Sequence, residues 1–210
     1  MIYPASYDIT ILQNSTWKAS LRVTQNRKTL SEVTVSGGTV KFSLPCHDYG
    51  DGDKVIFTIP SVSGDSSYIS LVPLPTNVIP CGLDLNAVYY VIASGLTNDE
   101  FYVASSSGGT AINATGSASG TFYSASPVSL SGYTIDSDVK GLPNNDFVAT
   151  FTSIVTDSDN GKFELSMAPS VSSGIPAGRY NYDVSLTQSS GERYYWLAGV
   201  ATVATTYSRN

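Results

Sequence analysis

Residues 176–203 read PAGRYNYDVSLTQSSGERYYWLAGVATV. Apolar and polar residues alternate through Tyr180, Tyr182, Val184 and Leu186. The pattern breaks at Ser189-Ser190-Gly191 and resumes through Tyr194, Trp196, Val200 and Val203. Successive side chains of a strand point to opposite faces, so alternation on both sides of a Ser/Gly break predicts an antiparallel hairpin with one buried face. Tyr180 and Tyr182, two apart, are expected on the core face. Gly178 and Gly132 suit turns with positive φ, and Gly199 suits a bulge or a close strand approach. Asp183 is expected to pair with a backbone amide or with Arg179.

The rest of the chain has the same grain. Its 210 residues suffice for one large β domain or two small ones. Charged residues make up only 13%, and Gly, Ser, Thr and Tyr take their place. That mixture suits short strands and many turns, so the expected fold class is all-β. Strand patterns appear at 7–12 (YDITIL) and 17–23 (WKASLRV), closed by a polar turn at 25–28. From residue 30 the strands become shorter: 33–35, 40–42, 54–59, 68–72, 88–92, 100–103 and 121–123. Turn clusters such as 48–53 (DYGDGD) and 105–109 (SSSGG) separate them. After Pro127 the first style returns at 128–133, 147–155 and 162–167, and a loop at 169–176 leads into the hairpin. The expected organisation is nested. Residues 1–29 and 127–210 form a discontinuous β-sandwich docking domain, and residues 30–126 form an inserted all-β domain, barrel- or sandwich-like.

With the insert set aside, the host motifs are PVSLSGY at 127–133, Asn160-Gly161 followed by Phe163, Leu165 and Met167, and PAGRYNYD at 176–183 with Gly191 and Gly199. In that order they resemble the β-sandwich at the N-terminus of upper baseplate proteins of tailed bacteriophages. The insert carries GDKVIF at 52–57, IPCGL at 79–83, YYVI at 89–92 and FYVA at 101–104. It is similar to a small β module of phage structural proteins, departing from it at Cys81, where the module tends to have a small residue. The resemblance implies a virion structural protein of the baseplate or tail-fibre attachment region, assembled in the host cytoplasm. It would be a homo-oligomer whose partners are copies of itself and other phage structural proteins. A capsid decoration or neck/collar protein of the same particle, and a module binding a host-surface glycan, are the alternatives.

Other classes fit poorly. The net charge is −6 and the eleven basic residues are scattered, which argues against a nucleic-acid partner. No stretch approaches the roughly 20 apolar residues of a membrane helix, so no membrane partner is expected. Residues 1–4 carry neither the basic segment nor the apolar run of a secretion signal. Cys46 and Cys81 each follow a proline, and free thiols are expected rather than a bridge. His47 is the only histidine. It adjoins Cys46 and Asp48, but neighbours along a strand face apart, so a structural turn residue is expected rather than a catalytic dyad or triad. Asp48, Asp51, Asp53, Asp157 and Asp159 lie in Gly-containing loops. Counted from Asp157, Gly161 comes one position too early for a calcium loop and the twelfth residue is not acidic, so hairpin turns are expected. The few acids sit mostly at turns, so a carboxylate pair doing glycosidase work is not expected. The chain is therefore read as no enzyme, with no cofactor, metal or catalytic residue. The interface candidates are the aromatic runs: Tyr89 and Tyr90, and Tyr194, Tyr195, Trp196 and Leu197. The second run has no polar alternate, so both its faces are expected to be covered.

Overall fold

The computed structural model describes residues 5–59, 77–85 and 87–206; the strand expected at 68–72 lies outside them. Strands account for 54% of the chain and helix for 4%, so the protein is all-β as expected. In chain order the strands are β1 (Ala5–Ser6), β2 (Ile9–Leu12), β3 (Trp17–Arg22), β4 (Thr24–Thr29), β5 (Glu32–Ser36), β6 (Thr39–Ser43), β7 (Lys54–Thr58) and β8 (Tyr89–Ile92). They continue with β9 (Glu100–Ala104), β10 (Tyr123–Pro127), β11 (Tyr133–Gly141), β12 (Phe147–Thr150), β13 (Thr152–Asp157), β14 (Lys162–Met167), β15 (Gly178–Gln188) and β16 (Arg193–Ala204). Among the described residues, one compact unit takes 5–23 and 129–206, and the other takes 24–59, 77–85 and 87–128.

The first unit holds two sheets. One has the order β1-β16-β15-β11-β12, with β2 also on β16, and the other the order β13-β14-β3. The opening hairpin, β15–β16, runs in register from Gly178↔Val203 to Thr187↔Arg193. Its inner row, Tyr182, Val184 and Leu186, is buried, and so is the inner row of β14, Phe163, Leu165 and Met167. Rings bridge the two layers: Phe163 meets Trp196 at 5.6 Å, and Phe151 meets Trp17 at 5.1 Å and Tyr182 at 6.1 Å. These contacts make a two-layer sandwich. The run at 147–155, expected as one strand, is divided at buried Phe151, and its halves β12 and β13 join different sheets. The strand expected at 128–133 is loop and turn up to Gly132; β11 begins only at Tyr133 and runs to Gly141. Its inner row includes buried Ser137, whose hydroxyl is satisfied by the Asp183 carbonyl at 2.9 Å. Gly132 has φ +78° as expected, whereas Gly178 lies within β15 opposite Val203 and has no positive φ.

The second unit is one sheet of order β4-β10-β7-β8-β9-β6-β5. Its end strands β4 and β5 are joined by Leu30 and Ser31 alone, so the sheet curls back on itself into a barrel with one seam. Phe42 fills the centre, stacked on Phe57 at 4.1 Å and on Phe101 at 5.4 Å. The polar turn expected at 25–28 is in fact β4, paired with β10. Its side chains are mostly exposed and none is apolar, so a strand held by main-chain bonds leaves no alternation to read. The division between units accordingly falls after Val23 and after Val128, not after residues 29 and 126.

Candidate functional site

The aromatic run 194–197 is shaped by a bulge. Val184 pairs with Leu197 and Ser185 with Tyr195, so Trp196 has no opposite residue. A bulge shifts side-chain parity by one. Trp196 therefore packs on Phe163 while Leu197 is also buried. Tyr194 and Tyr195 remain 43% and 50% exposed. The missing polar alternate thus comes from the bulge and not from two faces covered within the chain.

Around Tyr195 the outer sheet face is polar and ordered. The Arg193 guanidinium lies 5.4 Å from the Tyr195 ring centroid, and its Nε donates to buried Ser185 Oγ at 2.9 Å. On the neighbouring strands Lys140 Nζ donates to Asp183 Oδ2 at 2.7 Å, and this bond holds the ammonium above the ordinary lysine range. Asp183 thus finds Lys140, not Arg179 or a backbone amide. Tyr182 Oη donates to the Tyr7 carbonyl at 2.6 Å, and burial pushes its phenol well up.

Tyr89 and Tyr90 belong to the second unit and are not joined with Tyr194–Leu197. Tyr89 is a core residue: its ring lies 5.8 Å from Phe57 and its hydroxyl accepts from the Asp84 amide at 2.7 Å. Tyr90 is half-buried on the opposite side of β8. The structure also exposes apolar residues that alternation did not single out. Phe147 is 68% exposed and Ile154 53%, on the sheet-edge strands β12 and β13, and Leu142 is also exposed in the loop before β12. The readable signal was the absence of charge between Asp146 and Asp157.

The polar candidates are engaged in structure. His47 is buried; Nδ1 accepts from the Tyr49 amide at 2.9 Å and Nε2 lies 3.4 Å from the Glu100 carbonyl oxygen. Its ring packs against Tyr49 and Phe101. The lone pair that would serve Cys46 as a base is thus already in use. Cys46 and Cys81 are free and exposed. Asp53 accepts from the Gly50 amide, Asp51 from the Ala93 amide, and Asp157 caps the turn at Asn160. Among the described residues no three His, Cys, Asp or Glu side chains gather as a metal site, and no helix is long and apolar enough to cross a membrane. No protein-family model matches the sequence, and no curated protein matches it.

Proposed function

We propose that the chain is a non-enzymatic structural subunit of a tailed-phage particle, docking through its sandwich in the baseplate or tail-fibre attachment region. The ordered motifs at 127–133, 160–167 and 176–199 support the particle setting. The observation that carries the docking role is the exposure of Tyr194, Tyr195, Phe147 and Ile154 on the sandwich unit. Tyr and Phe are favoured at interface centres because each supplies a large apolar area at a low cost in side-chain entropy. His47 and the loop carboxylates Asp53 and Asp157 are spent on turns and packing.

The test is to purify assembled particles and quantify the chain by mass spectrometry against a known capsid protein. A fixed stoichiometry that fits a closed ring is the predicted result. Absence of the chain from washed particles refutes the reading.

A further inference from the structure

The barrel seam has an unusual construction. Gly37 and Gly38, with φ of +59° and +82°, form the two-residue turn between β5 and β6 and close it on the pair Ser36↔Thr39. Such a hairpin closes on a hydrogen-bonded pair, and the pairs alternate thereafter. Glu32, Thr34 and Ser36 therefore bond to β6, while Val33 and Val35 turn their N–H and C=O groups to the other edge. No strand pairs with that edge among the described residues.

Opposite it runs the segment 114–122. It is tied to the barrel at both ends: Ala114 N donates to Gly38 O at 2.8 Å, and Leu30 N donates to Phe122 O at 2.9 Å. Between these ties Thr115 and Ser119 exchange main-chain bonds with Cys81 and Val78. The result is a slot of about 380 Å³, lined by Ser31–Val35 on one wall and by Gly116–Gly120 and Phe122 on the other. Its second wall is built from Gly, Ser and Ala at 116–120 and from Phe122.

We propose that this slot is a peptide-binding site, in which an extended segment of a partner protein enters as an added strand on β5. Unpaired main-chain groups in a row recognise another main chain, which is how strand addition gains its affinity. The small residues at 116–120 leave room for the guest's side chains. Glu32 is the one charge in the lining, so the guest is uncharged along the slot and basic where it passes Glu32. The site lies in the second unit, apart from the sandwich surface proposed above, and stands whether or not that surface docks.

The experiment uses the full chain, labelled for amide NMR, and the capped peptide Ac-KTVTVK-NH2, with a lysine at either end because Glu32 marks one mouth of the slot. Millimolar peptide is expected to shift the amide resonances of Val33, Val35 and Ala118 and to slow the solvent exchange of Val33 and Val35. A peptide N-methylated at both valines should bind about tenfold or more weakly, the loss of two main-chain hydrogen bonds. No shift, shifts located elsewhere, or equal binding of the N-methylated peptide overturns the proposal. So does concentration-dependent protection of Val33 and Val35 without peptide, which would assign the slot to a second copy.

Discussion

Tyr182 and Tyr7 are joined by a 2.6 Å hydrogen bond from the buried phenol to a backbone carbonyl, across 175 residues of sequence. Gly199 lies beneath the same carbonyl: a Cβ there would fall onto the Tyr7 oxygen. The N-terminal segment is thereby strapped to the central hairpin, reinforced by Tyr7 N donating to Ala198 O at 3.0 Å. Tyr182→Phe should destabilise the first unit by about 1–2 kcal/mol, the cost of an orphaned buried acceptor. Gly199→Ala should cost about 1–3 kcal/mol, because the displaced atom is backbone and cannot swing aside. Urea unfolding of both variants checks the pair.

The same phenol sets an alkaline limit. Burial raises the Tyr182 pKa first, and the neighbouring Tyr7 and Asp8 raise it further. The folded state thus retains a proton that the unfolded chain releases near pH 10. Stability from this group is complete below about pH 10 and is lost as pH rises beyond it. Tyr182→Phe should unfold with a shallower alkaline decline than the parent, measured by thermal midpoints from about pH 8 to 11. Parallel declines would show that the group does not contribute. Tyr7 in the first unit and Tyr49 and Tyr89 in the second, also raised by burial, leave a residual slope in the variant.

His47 is a structural residue of the barrel, so His47→Ala should cost about 2–4 kcal/mol through a cavity and an unpaired Tyr49 amide. Thermal unfolding reads this directly. A variant as stable as the parent would contradict the packing role.

The two ends of the first unit meet at one turn. Val23 N donates to Gly161 O at 2.9 Å and Leu130 N donates to Ser158 O at 2.8 Å. Residues 24–128 should therefore be replaceable by a short Gly/Ser link, since a link of this length costs little loop entropy. The shortened chain is expected to unfold cooperatively as a β protein by circular dichroism. Aggregation or loss of the transition would contradict the independence of the sandwich.

The hairpin was legible because apolar and polar residue types alternate from Tyr180 to Leu186. Strand β4 was not, since TQNRKT presents no apolar face and is held by main-chain bonds to β10. Strand β11 was hidden by Ser137, a polar residue in the core whose partner, the Asp183 carbonyl, lies 46 residues away. The break at Phe151 was invisible because both halves of 147–155 are strand-forming, and only the sheet assignment separates them. At the candidate surface the residue types were readable but not their directions: one bulged residue, Trp196, decides which aromatics face inward. Of the neighbours Tyr89 and Tyr90, residue type does not tell which faces the core, because the amide of Asp84 that anchors Tyr89 leaves no mark on the alternation.

Surface changes separate docking from folding. Tyr195→Ala and Phe147→Ser should each alter stability by less than about 0.5 kcal/mol, since both side chains are at least half exposed. In a docking subunit the same changes should reduce incorporation into particles, measured by competition between variant and parent during assembly. Equal incorporation of both variants would remove these residues from the interface.

The most direct measurement is hydroxyl-radical footprinting of the chain, free and within purified particles, read residue by residue. Tyr194, Tyr195, Phe147 and Ile154 should react readily in the free chain and become protected in the particle. Tyr182 and Phe163 should stay protected in both. Unchanged reactivity of the four exposed residues in the particle, or failure to find the chain there, would contradict docking through the sandwich.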